Sequence, residues 1–214
     1  MYNTQLNNYH LNKKNSTIYT PPAVSEFIFE LLKDKVKIDY KLQTYLTGKG
    51  TIIDPCCGMN SLLKPWEANG FETLGIDIDP QSLATFKDDF LVIEKKGFWE
   101  EWVNIITKHL SLILCNPPFN GSYPKLAPEL WLNKIIELFG KDIPLVLFVP
   151  AGFRLNLTLE SERHRKFEQG EYPSISSIIT LPKNIFAGVK FHSEILIFNI
   201  RGLEPHYFYS NNHE

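Results

Sequence analysis

Leu112-Ile113-Leu114-Cys115-Asn116-Pro117-Pro118-Phe119 is a short apolar run that ends on a polar residue followed by two prolines. Consecutive apolar residues without polar alternation are expected of a strand buried on both faces, as in a parallel sheet covered by helices. The two prolines restrict the backbone immediately beyond it. Asn116 is therefore presented at the carboxyl end of a central strand.

The same arrangement recurs on either side. Thr51-Ile52-Ile53-Asp54 is a short strand ending in a carboxylate. A turn over residues 55–60 leads into a helix that stops before Gly70, a natural helix-ending glycine. Residues 71–76 form a second expected strand, closing on Asp77-Ile78-Asp79-Pro80. A short helix over residues 81–86 and the segment Asp88-Asp89-Phe90-Leu91 follow. A helix over residues 98–110 is expected, with Phe98, Trp102, Ile105, Ile106 and Leu110 on one face. Beyond Phe119, the spacing of Trp131, Ile135, Ile136 and Phe139 marks another helix, and residues 143–149 form a buried strand ending at Pro150. Residues 175–181 and 195–200 are further strands, with a turn-like segment from Lys183 to Gly188 between them. Upstream, Val24, Phe27, Ile28, Leu31 and Leu32 line one helix face, with Thr20 placed to cap it and Pro21 and Pro22 suited to its first turn.

Strands alternating with helices predict an open, doubly wound, mostly parallel α/β sheet. Ligands in such folds bind outside the carboxyl ends of the strands. Asp54, Asp77, Asp89 and Asn116 all fall at or just after those ends.

The 214 residues fit one domain, and 43% hydrophobic with 21% charged residues is a globular balance. A net charge of −2 argues against a chain held to nucleic acid by overall positive charge and leaves room for a local basic patch. The three cysteines lack zinc-ligand spacing: Cys56 and Cys57 are adjacent and no second pair completes a site, so no metal is expected. They suggest instead small residues packed near a tight turn in a reducing compartment. Residues 1–18 are polar and asparagine-rich, and are expected to form a mobile arm and no signal peptide. With no long apolar run, a cytoplasmic protein without membrane contact is expected.

An ionised carboxylate about 20 residues beyond the first strand–helix turn is the expected acceptor for two ribose hydroxyls. Asp77 lies 19 residues after Gly58. The turn itself, Asp54-Pro55-Cys56-Cys57-Gly58-Met59-Asn60, is no three-glycine phosphate cradle. A nucleoside ligand without phosphates suits it better than ATP or a dinucleotide. Taken singly, each aspartate reads equally well as a helix cap.

With Asn116-Pro117-Pro118-Phe119 added, the chain resembles the class I S-adenosylmethionine-dependent methyltransferases, and within them the N6-adenine DNA methyltransferases, from about Tyr19 to Arg201. The resemblance implies the Rossmann-like methyltransferase sheet with an antiparallel C-terminal hairpin, and S-adenosylmethionine as cofactor. Tyr19, Thr20 and Pro21 match the motif lying along the cofactor's methionine part. Asp54, Cys56 and Gly58 match the first cofactor motif, with Asp54 near the cofactor's amino group. Asp77 would hold the ribose, Ile78 would lie against the adenine face, and Asp89, followed by Phe90, would accept from the adenine amino group. The segment from Phe186 to Ile200, including Phe191, matches the hairpin beside the target pocket. Asn60 departs from the pattern, standing where a second glycine is usual. Asparagine is the non-glycine residue best able to take the left-handed conformation.

The tetrapeptide suits methylation of an exocyclic amino nitrogen, whose lone pair is delocalised. Acceptors at its two N–H groups, the Asn116 side-chain oxygen and the Pro117 carbonyl, offset the positive charge that develops there. Phe119 offers a face for stacking on an unstacked base.

For the substrate, adenine N6 in DNA leads. An RNA base or a protein glutamine amide is the alternative, and a non-catalytic cofactor-binding subunit serving a recognition partner is a third reading. Residues 19–214 are expected to be one catalytic domain with no separate target-recognition domain. Tyr123 and Lys125 in one loop, and Arg154 at the start of another, are candidate substrate contacts. Arg163, His164, Arg165 and Lys166 could neutralise phosphates or could pair with Glu160, Glu162 and Glu168 on an exposed helix face.

Overall fold

The computed structural model describes residues 19–36, 50–119, 126–155, 161–186 and 191–210. The expected N-terminal arm, Tyr123 and Lys125 lie outside them.

The elements run α1 (Pro22–Leu32), β1 (Thr51–Asp54), α2 (Lys64–Ala68), β2 (Glu72–Gly75), a 3₁₀ turn (Phe90–Val92), α3 (Phe98–Ile106), β3 (Leu110–Cys115), α4 (Ala127–Phe139), β4 (Leu145–Pro150), α5 (Glu162–Glu168), β5 (Ile175–Leu181), β6 (Ser193–Phe198) and β7 (His206–Phe208). Among the described residues the strands form one sheet in the order β2-β1-β3-β4-β6-β5-β7. β2, β1, β3 and β4 are parallel, and β6 enters antiparallel between β4 and β5. The expected architecture, a mostly parallel open sheet with an antiparallel C-terminal hairpin, is the one observed.

Uninterrupted apolar strands make sense because both faces of the sheet are covered. On one face Ile52, Leu112, Leu114, Val146, Phe148, Ile195 and Ile197 pack beneath Val24, Ile28 and Leu32 of α1 and Trp66 of α2. On the other, Ile53, Ile113, Leu145, Leu147, Leu196 and Phe198 meet Val103 and Ile106 of α3 and Leu132, Ile135 and Leu138 of α4. Trp66 is fully buried, edge-on to Phe29 at 5.1 Å and Phe71 at 5.0 Å. Truncating such a residue costs about 3–5 kcal/mol.

Three local expectations are corrected. Residues 81–86 are not helical. Asp79 Oδ1 accepts from Gln81 N–H at 2.9 Å and Ser82 Oγ from Ala84 N–H at 3.4 Å, local bonds that compete with a helix. Phe86 is drawn alongside Ile76 as a parallel bridge, its N–H donating to Gly75 O while Asp77 N–H donates to Phe86 O. The helix over 98–110 ends at Ile106, because Leu110 already belongs to β3. Thr20 does not cap α1: Pro21 holds the cap position without a side-chain bond, and the Thr20 hydroxyl is engaged elsewhere. β7 was not anticipated, since three residues with exposed ends carry no periodic signal.

Candidate functional site

Parallel pairing places the ends of β1, β2, β3 and β4 at one sheet edge, and the antiparallel β6 starts there. Four segments meet at this edge: residues 54–60 after β1, 75–79 after β2, 116–119 after β3 and 19–21 before α1.

The loop after β1 is held by its own carboxylates. Asp54 Oδ1 accepts from Cys56 N–H at 3.0 Å and Asp77 Oδ2 from Gly58 N–H at 2.8 Å, while Asp77 Oδ1 takes Asp79 N–H at 2.8 Å. Gly58 has φ +51°, and a Cβ there would come within 2.8 Å of Tyr19 Cε1, so the bare glycine is what admits the Tyr19 ring. Asn60 takes φ +59°, the left-handed conformation expected for it, and its Nδ2 donates to Leu83 O at 3.0 Å. The turn is thus built without the second glycine.

Asp54 is 2% exposed. Burial pushes its carboxyl up to about 7; the Cys56 N–H opposes this and the Asp77 charge adds to it. A buried acid held near neutrality is suited to a cationic ligand group, which would restore its charge.

Ile78, beside Asp77, is 69% exposed and leaves an apolar surface at the rim. Asp89 caps the 3₁₀ turn, Oδ1 accepting from Leu91 N–H at 3.0 Å. Phe90 is 2% exposed in the core with Ile53 and Ile76, so only its backbone can serve a ligand.

At the end of β3 the Asn116 amide is oriented by Thr20: Nδ2 donates to Thr20 Oγ1 at 2.9 Å. The side-chain oxygen is then the group that Asn116 can turn to a substrate N–H. Tyr19 on Gly58 and Thr20 on Asn116 make the segment before α1 a strap joining the two halves of the site. This contact carries no local sequence signal, because the partners are 96 residues apart.

Phe119 and Phe191 are brought together, but they do not present open faces. Phe119 is 8% exposed and packs edge-on against Phe191 at 5.0 Å and Phe186 at 6.4 Å. Arg154 follows β4, partly buried, and its Nε is buried without a hydrogen-bond partner. The segment between β4 and Arg154 is tied to the residue before β6 by Ala151 N–H donating to His192 O at 3.0 Å.

The basic cluster is largely spoken for. Lys166 pairs with Glu162 at 3.2 Å and His164 lies 3.2 Å from Glu168. Arg163 has turned inward instead: its Nη1 meets Glu129 at 3.0 Å and its Nε donates to Phe153 O at 2.6 Å. Glu129 lies within 3.3 Å of the Tyr172 hydroxyl, a buried network that sequence spacing did not reveal. Among the described residues no cluster of three metal-ligating side chains occurs, and no helix is long and apolar enough to cross a membrane.

No protein-family model and no curated protein matches the chain. Solved structures do. A Listeria monocytogenes protein assigned to the class I S-adenosylmethionine-dependent methyltransferases superposes with a TM-score of 0.59 at 16% identity, over 91% of this chain and 67% of that one. The modification subunit of a protein assigned as a type I restriction enzyme from Vibrio vulnificus gives 0.59 at 16%, over 95% and 49%. The type I restriction-modification methyltransferase subunit from Streptococcus thermophilus gives 0.58 at 18%, over 92% and 48%. This chain spans about half the length of the two restriction-modification subunits. At these identities the likeness is one of fold: the chain has the class I methyltransferase fold.

Proposed function

We propose that this chain is an S-adenosylmethionine-dependent methyltransferase acting on an exocyclic amino nitrogen, with adenine N6 in DNA as its substrate. The observation that carries the reading is the Asn116 amide, set at the end of β3 with its nitrogen tied to Thr20.

The residues at the sheet edge fit the cofactor. Three carboxylates, Asp54, Asp77 and Asp89, would repel a phosphate but suit an ammonium group, ribose hydroxyls and an adenine amino group respectively. Ile78 offers the adenine an apolar surface, and Tyr19, Pro21, Cys56, Gly58 and the backbone of Phe90 complete the wall. S-adenosylmethionine supplies an electrophilic methyl group when bound.

The chain's own work is alignment. Asn116 Oδ1 and the Pro117 carbonyl accept the two N–H groups of the target amine, drawing its lone pair out of conjugation and offsetting the positive charge that grows on nitrogen. Pro117 and Pro118 hold the acceptors before the substrate arrives, so little reorganisation is needed in the reaction. The target base needs an apolar slot, and Phe119 and Phe191 stand where one would be made by the two rings parting. Arg154, Tyr123 and Lys125 are the candidate contacts to the nucleic-acid backbone. Two of the solved structures that share this fold are subunits of restriction-modification systems, which favours a partner protein that supplies sequence recognition.

Side-by-side transfer of labelled methyl from S-adenosylmethionine to duplex DNA, RNA and protein tests the reading. Label in DNA at adenine is expected. Label in RNA or in a protein glutamine, with none in DNA, would overturn the substrate. Absence of both label and cofactor binding would overturn the enzyme.

A further inference from the structure

Cys56 and Cys115 are 59 residues apart in sequence, yet their sulfurs lie 3.6 Å from each other. Cys56 sits in the loop after β1, and Cys115 is the last residue of β3, next to Asn116. β1 and β3 are paired neighbours, and the loop leaving β1 carries Cys56 against the last residue of β3, so the two thiols are in contact. Cys57 is not part of this arrangement. Successive residues face opposite sides: Cys57 packs in the α1–α2 core and crowds Gly75, whereas Cys56 and Cys115 share the core beneath α3 and α4.

We infer that Cys56 and Cys115 are an oxidation site, a thiol pair that peroxide closes to a disulfide, tying the loop after β1 to the residue before Asn116 and switching the site off. Cys115 is fully buried and Cys56 is the less buried residue of the two, so oxidant reaches the pair from the Cys56 side. Attack of the Cys56 sulfur on hydrogen peroxide gives a sulfenic acid and one water. Cys115 sulfur then displaces hydroxide from that sulfenic acid, forming the S–S bond and a second water. Two thiols lose two electrons and two protons, and one peroxide is reduced to two waters. Closure must draw the sulfurs together from 3.6 Å to about 2 Å. The displacement falls on the loop that holds Asp54 and Gly58 and on the strand end that holds Asn116. Burial pushes both thiols up, which keeps thiolate scarce and makes closure slow. The pair therefore answers to sustained peroxide exposure.

The test uses the full chain treated with hydrogen peroxide, alkylated and mapped by mass spectrometry without reduction. A peptide pair joining Cys56 to Cys115, lighter by two hydrogens and released by dithiothreitol, is expected. The link should persist in Cys57→Ser and vanish in Cys56→Ser, with Cys115→Ala as a second variant should either serine disturb the core. Consumption of Cys57 alone, or conversion of Cys56 to sulfinic acid with Cys115 still alkylatable, would overturn the inference. A second arm rests on the cofactor reading: the oxidised chain should bind S-adenosylhomocysteine at least tenfold more weakly than the reduced chain. A link with unchanged binding would overturn the switch. Failure of the reduced chain to bind at all would count against the functional reading, and leaves the mass result to decide the thiol pair.

Discussion

Asn116 Nδ2 donates to Thr20 Oγ1 at 2.9 Å, so a residue ahead of the first helix fixes which end of the proposed catalytic amide faces the substrate. The two side chains are 96 residues apart in sequence and meet because α1 and β3 share one packed face. Orientation by a buried neighbour differs from contact with substrate, and the two roles give different kinetics.

Thr20→Val keeps the shape of the side chain and removes the acceptor. Losing one neutral hydrogen bond and freeing the amide to rotate is expected to lower kcat about 10- to 100-fold, or roughly 1.4–2.7 kcal/mol. The Kd for S-adenosylhomocysteine should stay within about threefold by the same reasoning. Thr20→Ser should restore most of the rate. Asn116→Ala should abolish transfer and leave cofactor binding nearly intact. Steady-state rates beside calorimetric binding separate these outcomes. A loss of binding equal to the loss of rate would favour the cofactor contact that the resemblance implies for Thr20.

Asp54 gives a pH dependence with a definite sign. Its carboxyl is raised from 3.8 to about 7 in the fold, so the native state binds this proton more tightly than the unfolded chain does. Stability from this group is therefore fully present below about pH 4 and falls as pH rises toward 7. A ligand ammonium reverses the preference by favouring the ionised acid. Affinity for S-adenosylhomocysteine should increase from pH 6 to pH 8, with proton release on binding measurable by calorimetry in buffers of different ionisation enthalpy. Asp54→Asn should weaken binding and flatten both profiles.

Much of this was legible in the sequence because the informative signals were local. Thr51 to Asp54 and Leu112 to Leu114 read as buried strands from their apolar runs, and the polar residues after them mark the candidate site. The misreadings have two causes. Residues 81–86 have helical composition, but Asp79, Ser82 and the pairing of Phe86 with Ile76 impose an extended path. Arg163 looked like one member of a surface cluster, yet Glu129 claims it from a helix 34 residues away. Thr20 looked like a cap and is an orienting partner instead. Arg163 and Thr20 were decided by residues distant in sequence, which periodicity and spacing do not register, and residues 81–86 by short-range side-chain bonds that outcompete a helix.

The turn after β1 gives a stability test at two positive-φ positions. Gly58→Ala must place a Cβ about where the Tyr19 ring lies and hold a left-handed φ, so a loss of about 1–3 kcal/mol is expected, together with weaker cofactor binding. At Asn60 the trade differs. Glycine removes the conformational cost but also the bond to Leu83 O, so Asn60→Gly should be nearly neutral, within about 0.5 kcal/mol. Asn60→Ala loses the bond and keeps the strain, for about 1–2 kcal/mol. Denaturant midpoints would rank the three. An Asn60→Gly chain that gained cofactor affinity tenfold would show that the asparagine is a handicap in the pocket.

The last contrast is between two arginines nine positions apart. Arg163 is partly buried against Glu129, and removing it leaves a carboxylate that is 5% exposed without its counter-charge. Arg163→Met should therefore destabilise the protein by about 3–5 kcal/mol. It should not alter the salt dependence of nucleic-acid binding by whatever remains folded. Arg154 sits after β4 at the site edge with its Nε unpartnered. If it meets a phosphate, Arg154→Ala should weaken DNA binding several-fold for every sequence and reduce the slope of log K against log salt by about 1. Melting temperature should barely move. Fluorescence anisotropy across a salt series distinguishes the two residues, and an unchanged slope for Arg154→Ala would remove it from the nucleic-acid contact.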